Sequence, residues 1–297
     1  MTRRRYRRSL HRRITTWWGK AGVFARVGTA LGMLVAAICA MALIMGAIRL
    51  VQWETRIGTA KTNQQLMQRE YDFNPGEIIS DAKFFNSDAM SAAEIQSFLN
   101  ARGAACTGSH CLKSMTFDTA SHKADDLCAA YRSSGRESAA SIIDKSARAC
   151  GISQKVLLVM LQKEQHLVSA TDATDSQYQT ALGLSCPDTA GCDQTYAGFF
   201  NQVYGAARRY QYYRHHGGEY AYHAATLSHV AYSPNGSCGG SDVYIVNEAT
   251  VLLYIYTPYQ PNIAALRANG GEGDSCSSYG NRNFSIIYSQ WFGNTRG

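Results

Sequence analysis

A mainly α-helical domain, stapled by disulfides and held outside a membrane by one N-terminal helix, is the fold class that the sequence predicts. Three observations predict it. An uncharged run fills residues 27–48, eight cysteines lie beyond it, and past residue 90 apolar side chains recur at helical spacing. With 297 residues, 45% of them hydrophobic and 11% aromatic, the chain is neither disordered nor low in complexity and can bury a core. The net charge of +7 divides unevenly: residues 1–49 carry ten Lys/Arg and no acid, and the remainder holds 19 bases against 22 acids. The body therefore offers no basic excess for phosphates, and nucleic acid is not an expected partner.

The first element is the anchor. Val27–Ile48 spans 22 residues, about 33 Å of helix at 1.5 Å per residue, enough for a hydrocarbon core of about 30 Å. Trp17, Trp18 and Trp53 flank it, where indoles favour the interface, and nine bases precede it within residues 1–26. The positive-inside rule places 1–26 in the cytoplasm and the body outside. The alternative is a cleaved signal peptide, but the small-x-small triplet Ala40-Met41-Ala42 lies inside the apolar run. The organisation expected is a basic tail at 1–26, a span at 27–48, a helical stalk at 49–72 and an exported domain at 73–297.

Eight cysteines in an exported domain read as disulfides. They allow 105 pairings; sequence proximity favours Cys106–Cys111, Cys128–Cys150, Cys186–Cys192 and Cys238–Cys276. A zinc site is the alternative, but C-x-x-C and closely spaced Cys/His ligands are missing, so no metal and no cofactor is expected. A catalytic Cys with one of the eight His is a further option, though an even count leaves none plainly unpaired.

Within the body, Asn74-Pro75-Gly76 opens with a turn, and Ser91 with Glu94 forms a capping box for a helix over Met90–Asn100. A cysteine-bearing loop is expected up to about Gly135. A helix over Glu137–Cys150 ends at Gly151, and Ser153 N-caps the next one, VLLVMLQKEQHLV, whose first six residues are apolar. The segment 169–192 is turn-rich. Helices are expected over Phe199–Tyr213, Val243–Tyr256 and Phe284–Phe292, with loops or a hairpin at 218–240.

Glu164 is the most informative residue. Its helical neighbours Leu157, Met160, Leu161, Leu167 and Val168 are all apolar, so a carboxylate sits at the end of the most buried stripe. Burial raises a carboxyl pKa, and a Glu kept protonated can give its proton to a leaving oxygen. The structural alternative is an ion pair with Arg208, Arg209 or Arg282.

The stretch ACGISQKVLLVMLQKEQHLV, followed by TDSQYQTALGLSCPD and FFNQVYGAARRYQYY, resembles the lysozyme-like superfamily, and more closely the soluble lytic transglycosylases and related peptidoglycan glycosidases. The resemblance covers roughly residues 137–215. It implies an α+β lysozyme-like fold, Glu164 as general acid, and Ala181-Leu182-Gly183-Leu184 lining a cleft with Tyr178 nearby. Gln165 stands where a Ser is usual, and Ser185-Cys186-Pro187 replaces Met-Gln. Residues 71–293 also resemble a family of exported, haemagglutinin-labelled proteins of high-GC Gram-positive bacteria.

A hydrolase needs a second carboxylate, and Asp172, Asp175, Asp188 and Asp193 all follow Glu164. Asp175 is the one taken forward. A lytic transglycosylase dispenses with it, since a substrate hydroxyl attacks. Gln165, Tyr178, Gly183 and Tyr204 are the expected substrate contacts, and most other tyrosines are expected to be structural. The expected function is a membrane-anchored glycosidase or lytic transglycosylase acting on peptidoglycan or another envelope glycan. The alternatives are a non-catalytic wall-binding module or adhesin, and a structural partner in an envelope complex contacted through the stalk.

Overall fold

The computed structural model describes residues 16–186 and 191–297, which divide into a unit ending at Arg56 and a unit over Ile57–Gly297. Helix α1, Val23–Tyr71, begins in the first unit, and its most apolar stretch is long enough to cross a membrane with no residue buried in protein. The expected stalk is the C-terminal part of this helix, and from Ile57 onward it belongs with the body. There Ala60 and Gln64 are buried, and the Gln64 side chain donates to Tyr244 O (3.1 Å) and accepts from Tyr244 N (2.8 Å).

The body is mainly α-helical. After the one-turn α2 (Asp81–Phe84) comes α3 (Ala92–Arg102), started by the reciprocal capping box of Ser91 and Glu94. A short antiparallel pair follows, β1 (Thr116–Asp118) and β2 (Arg136–Ser138), with Phe117 opposite Glu137. Helix α4 (Ala139–Cys150) starts two residues later than the periodicity predicts. Glu137 and Ser138 extend into β2, and the Ser138 hydroxyl caps the helix by accepting from Ser141 N. Gly151, in the left-handed region, ends it as expected.

Helix α5 (Gln154–Gln165) is the spine of the core, with Val156 to Leu161 all at most 1% exposed. Ser153 occupies its N-cap position without a side-chain capping bond, a correction to the sequence expectation. Its hydroxyl is buried and unpartnered among the described residues. Helix α4 lies between α3 and α7 (Phe199–His215), and α10 (Gly280–Phe292), which follows the short α9 (Ile263–Arg267), packs on α5.

The helix expected over Val243–Tyr256 divides in two. Residues Gly240–Ile245 form β4, paired antiparallel with β3 (Thr226–Ala231) so that Thr226 faces Ile245. Val243 and Ile245 alternate inward, which suits a half-buried strand. Asn247 then caps α8 (Glu248–Tyr256) by accepting from Thr250 N. Four disulfides close the body at Cys106–Cys111, Cys128–Cys150, Cys186–Cys192 and Cys238–Cys276. Cys39, in the apolar part of α1, is free.

Candidate functional site

The end of α5 sets the geometry. His166 turns into the left-handed region (φ 55°) and its N–H closes onto Gln162 O and Leu161 O, so the helix stops just after Glu164. Leu167 and Val168 then dive into the core, leaving the Glu164 side chain 25% exposed. It emerges where the apolar stripe ends. Glu164 Oε1 lies 2.5 Å from Lys163 Nζ, an ammonium only 7% exposed that also donates to Thr257 Oγ1 at 3.3 Å.

None of the three arginines offered as clamps holds this carboxylate. Arg208 pairs with Asp125, Arg209 bonds to the Tyr196 hydroxyl, and Arg282 donates to the carbonyls of Ala265 and Gly271. Glu164 Oε2 has no hydrogen-bond partner among the described residues and faces Gly183, where an added Cβ would lie 3.6 Å away. Gly183 has φ +67°, a conformation that costs other residues about 1–2 kcal/mol.

The turn carrying Gly183 is held from behind by one buried amide that the sequence reading missed. Gln202, on α7, accepts from Leu182 N and Leu184 N (3.0 Å each) and donates to Leu184 O (3.1 Å) and Tyr196 O (2.9 Å). A signal existed: Gln202 is a polar residue beside Val203 and one turn from Phe199 and Ala206, on the inward face of α7. Tyr256 of α8 donates its hydroxyl to Leu182 O and stacks on Tyr210 at 5.3 Å. Burial, with the Glu164 charge beside them, pushes both phenols well above their ordinary pKa. The Tyr210 hydroxyl is buried and has no hydrogen-bond partner among the described residues.

Gly183, which faces Glu164, also lines a cavity of about 570 Å³ with Leu184, Ser185, Asp193, Tyr213 and Tyr256; Glu164 itself is not part of that lining. Asp193 caps a turn by accepting from Thr195 N at 2.9 Å, and that bond lowers its pKa. It is thus the carboxylate that the structure puts in this cavity. Asp175 is instead 84% exposed at the side chain, pairs with His110 (3.5 Å), and lines a separate cavity of about 310 Å³. Its position is set by α6 (Asp175–Gln179), whose first turn points away on the surface. Asp188 lies outside the described residues.

The other expected contacts are dispersed. Tyr178 is buried against Phe117, and its hydroxyl donates to His110 O at 2.5 Å; burial, with Asp175, raises its pKa to about 12. Gln165 braces the loop, donating to Thr180 Oγ1 (3.2 Å) while its carbonyl accepts from Gln177 (2.9 Å). Tyr204 stacks on His122 at 4.3 Å beside a third cavity. Of the four expected contacts, only Gly183 both faces Glu164 and lines the cavity of about 570 Å³. Among the described residues no cluster of three or more metal-ligating side chains occurs.

The site is thus a part-exposed carboxylate, a lysine against one of its oxygens, a left-handed glycine against the other, and tyrosines behind. Comparison with known proteins adds a family. No curated protein and no solved structure gives a significant match. The family model described as LasA, N-terminal domain, matches residues 77–296, nearly all of the body. The chain belongs to the LasA N-terminal domain family.

Proposed function

We propose that the body is a lysozyme-like glycosidase or lytic transglycosylase, anchored by α1 with residues 1–26 in the cytoplasm and acting on peptidoglycan outside the membrane. The observation that carries this reading is Glu164: a part-exposed carboxylate at the end of a helix whose residues 156–161 are buried, with one oxygen turned to a glycine that borders a cavity. In this reading the Glu164 carboxyl gives its proton to the bridging oxygen as the bond to the anomeric carbon breaks. A hydroxyl of the same sugar then attacks that carbon and returns its proton to Glu164. No second carboxylate is required. For hydrolysis, Asp193 rather than Asp175 is the candidate partner, because it lines the cavity bordered by Gly183, the glycine that faces Glu164. Four disulfides agree with an exterior body.

The test is Glu164→Gln in the detergent-solubilised full chain. Turnover of purified peptidoglycan is expected to fall by about 100- to 10,000-fold, the range for losing a general acid. Wild-type rates in the variant would remove the proposal.

A non-catalytic wall-binding module is the second reading. It is favoured by the Lys163 contact on Glu164 Oε1 and by a family defined as one domain of a larger protein. Co-sedimentation with insoluble peptidoglycan, without release of fragments, is its expected result.

A further inference from the structure

A cavity of about 760 Å³ lies on the outer face of α7 against the 122–125 loop and has no part in the Glu164 reading. Its walls are aromatic: His122 stacks on Tyr204 at one side, and Tyr196, Tyr212 and Tyr220 form the other. Its charge is positive. Asp125 is neutralised by Arg208 at 2.6 Å, while Arg209 and Lys123 have no carboxylate partner among the described residues. The Arg209 guanidinium is preorganised rather than loose. It lies 5.6 Å from the Tyr196 ring centre and 5.8 Å from that of Tyr212, and donates to the Tyr196 hydroxyl at 3.2 Å. A planar fork fixed between rings, with donors to spare, matches a carboxylate or phosphate oxygen pair. Tyrosine faces and hydroxyls beside it match a sugar ring. The volume falls within the range of small-ligand clefts.

We propose that this cavity is a binding site for an anionic saccharide, a sugar ring bearing a carboxylate or a phosphate, with Arg209 receiving the anion, Lys123 reinforcing the field at the rim and the tyrosines packing on the ring. The site does not depend on Glu164 being catalytic.

Titration calorimetry on the detergent-solubilised Glu164→Gln chain tests it, because that background separates binding from any turnover. The probes are trigalacturonate, its uncharged methyl ester, and glucose 1-phosphate. At least one anion is expected to bind about tenfold tighter than the ester, and preference between the two anions identifies the charged group. Arg209→Gln is expected to lose about tenfold, and the exposed Lys123→Ala about threefold with a weaker salt dependence. If melting shows that Arg209→Gln does not fold, Arg209→Lys and Lys123→Ala decide. The proposal fails if the ester binds as well as the anions, if neither anion binds, or if the folded variants bind as the parent does.

Discussion

A single buried glutamine decides where the glycine that faces Glu164 sits. Gln202 satisfies three backbone groups of the 182–184 turn and one of Tyr196, so replacing it strands buried donors that no other described side chain reaches. Gln202→Leu is expected to cost about 2–3 kcal/mol, read as a lower urea midpoint. Gly183→Ala meets Glu164 only at ordinary contact distance, so its cost is the left-handed backbone, about 1 kcal/mol, with Gly183→Asn cheaper. Glu137 is a buried carboxylate that makes stability depend on acid. Its burial alone would raise its carboxyl pKa, but hydrogen bonds from Lys145 (2.7 Å), Tyr131 (2.5 Å) and Ser134 N (2.6 Å) outweigh burial and lower it. The folded pKa thus lies below the unfolded value of about 4.3. The stabilisation is complete above that value and lost as pH falls through the folded pKa. Glu137→Gln is expected to lower the melting temperature at pH 7 and to flatten its decline below about pH 4, by thermal melts across pH.

At the scale of elements, the disulfides differ in what they close. Cys238–Cys276 spans 38 residues and ties the β3–β4 hairpin region to the segment before α10, whereas Cys106–Cys111 spans 5. By chain entropy these are about 4 and about 2 kcal/mol, so Cys238→Ser with Cys276→Ser is expected to lower the melting temperature more than the Cys106/Cys111 pair of replacements. What the sequence made legible among the elements was whatever local pattern determines. The stripe Leu157, Met160, Leu161, Leu167 and Val168 is buried to the last residue, and it placed Glu164 at the rim of the core. Ser91 with Glu94 and the C-terminal Gly151 marked helix ends because their capping chemistry is local. Residues 243–245 failed for the opposite reason: VYI is apolar enough for a helix, and only pairing with β3 across an intervening turn makes it a strand. Asp175 and Tyr204 line cavities other than the one bordered by Gly183, because distance along the chain from Glu164 says nothing about which cavity a residue lines. Gln202 acts on a turn 18 to 20 residues before it in sequence, and only the packing of α7 shows that.

At the scale of the whole molecule, α1 carries a stretch long and apolar enough to cross a membrane, and the body has its own hydrophobic core. In the proposed reading lipid is the solvent of that stretch, whose length and composition suit a membrane span. The full chain is expected to sediment with membranes and to resist extraction at alkaline pH, and protease added to the outer face is expected to degrade the body while sparing the basic tail. Release by alkali would instead mean a removed or peripheral leader. The account rests most heavily on a proton leaving Glu164 for a glycosidic oxygen, and mass spectrometry of what full-length protein releases from purified peptidoglycan reads that step. Glycan fragments with intact stem peptides, produced by the native chain and missing with Glu164→Gln, are the predicted result; fragments cut only within the peptides, or identical release by both proteins, would contradict it.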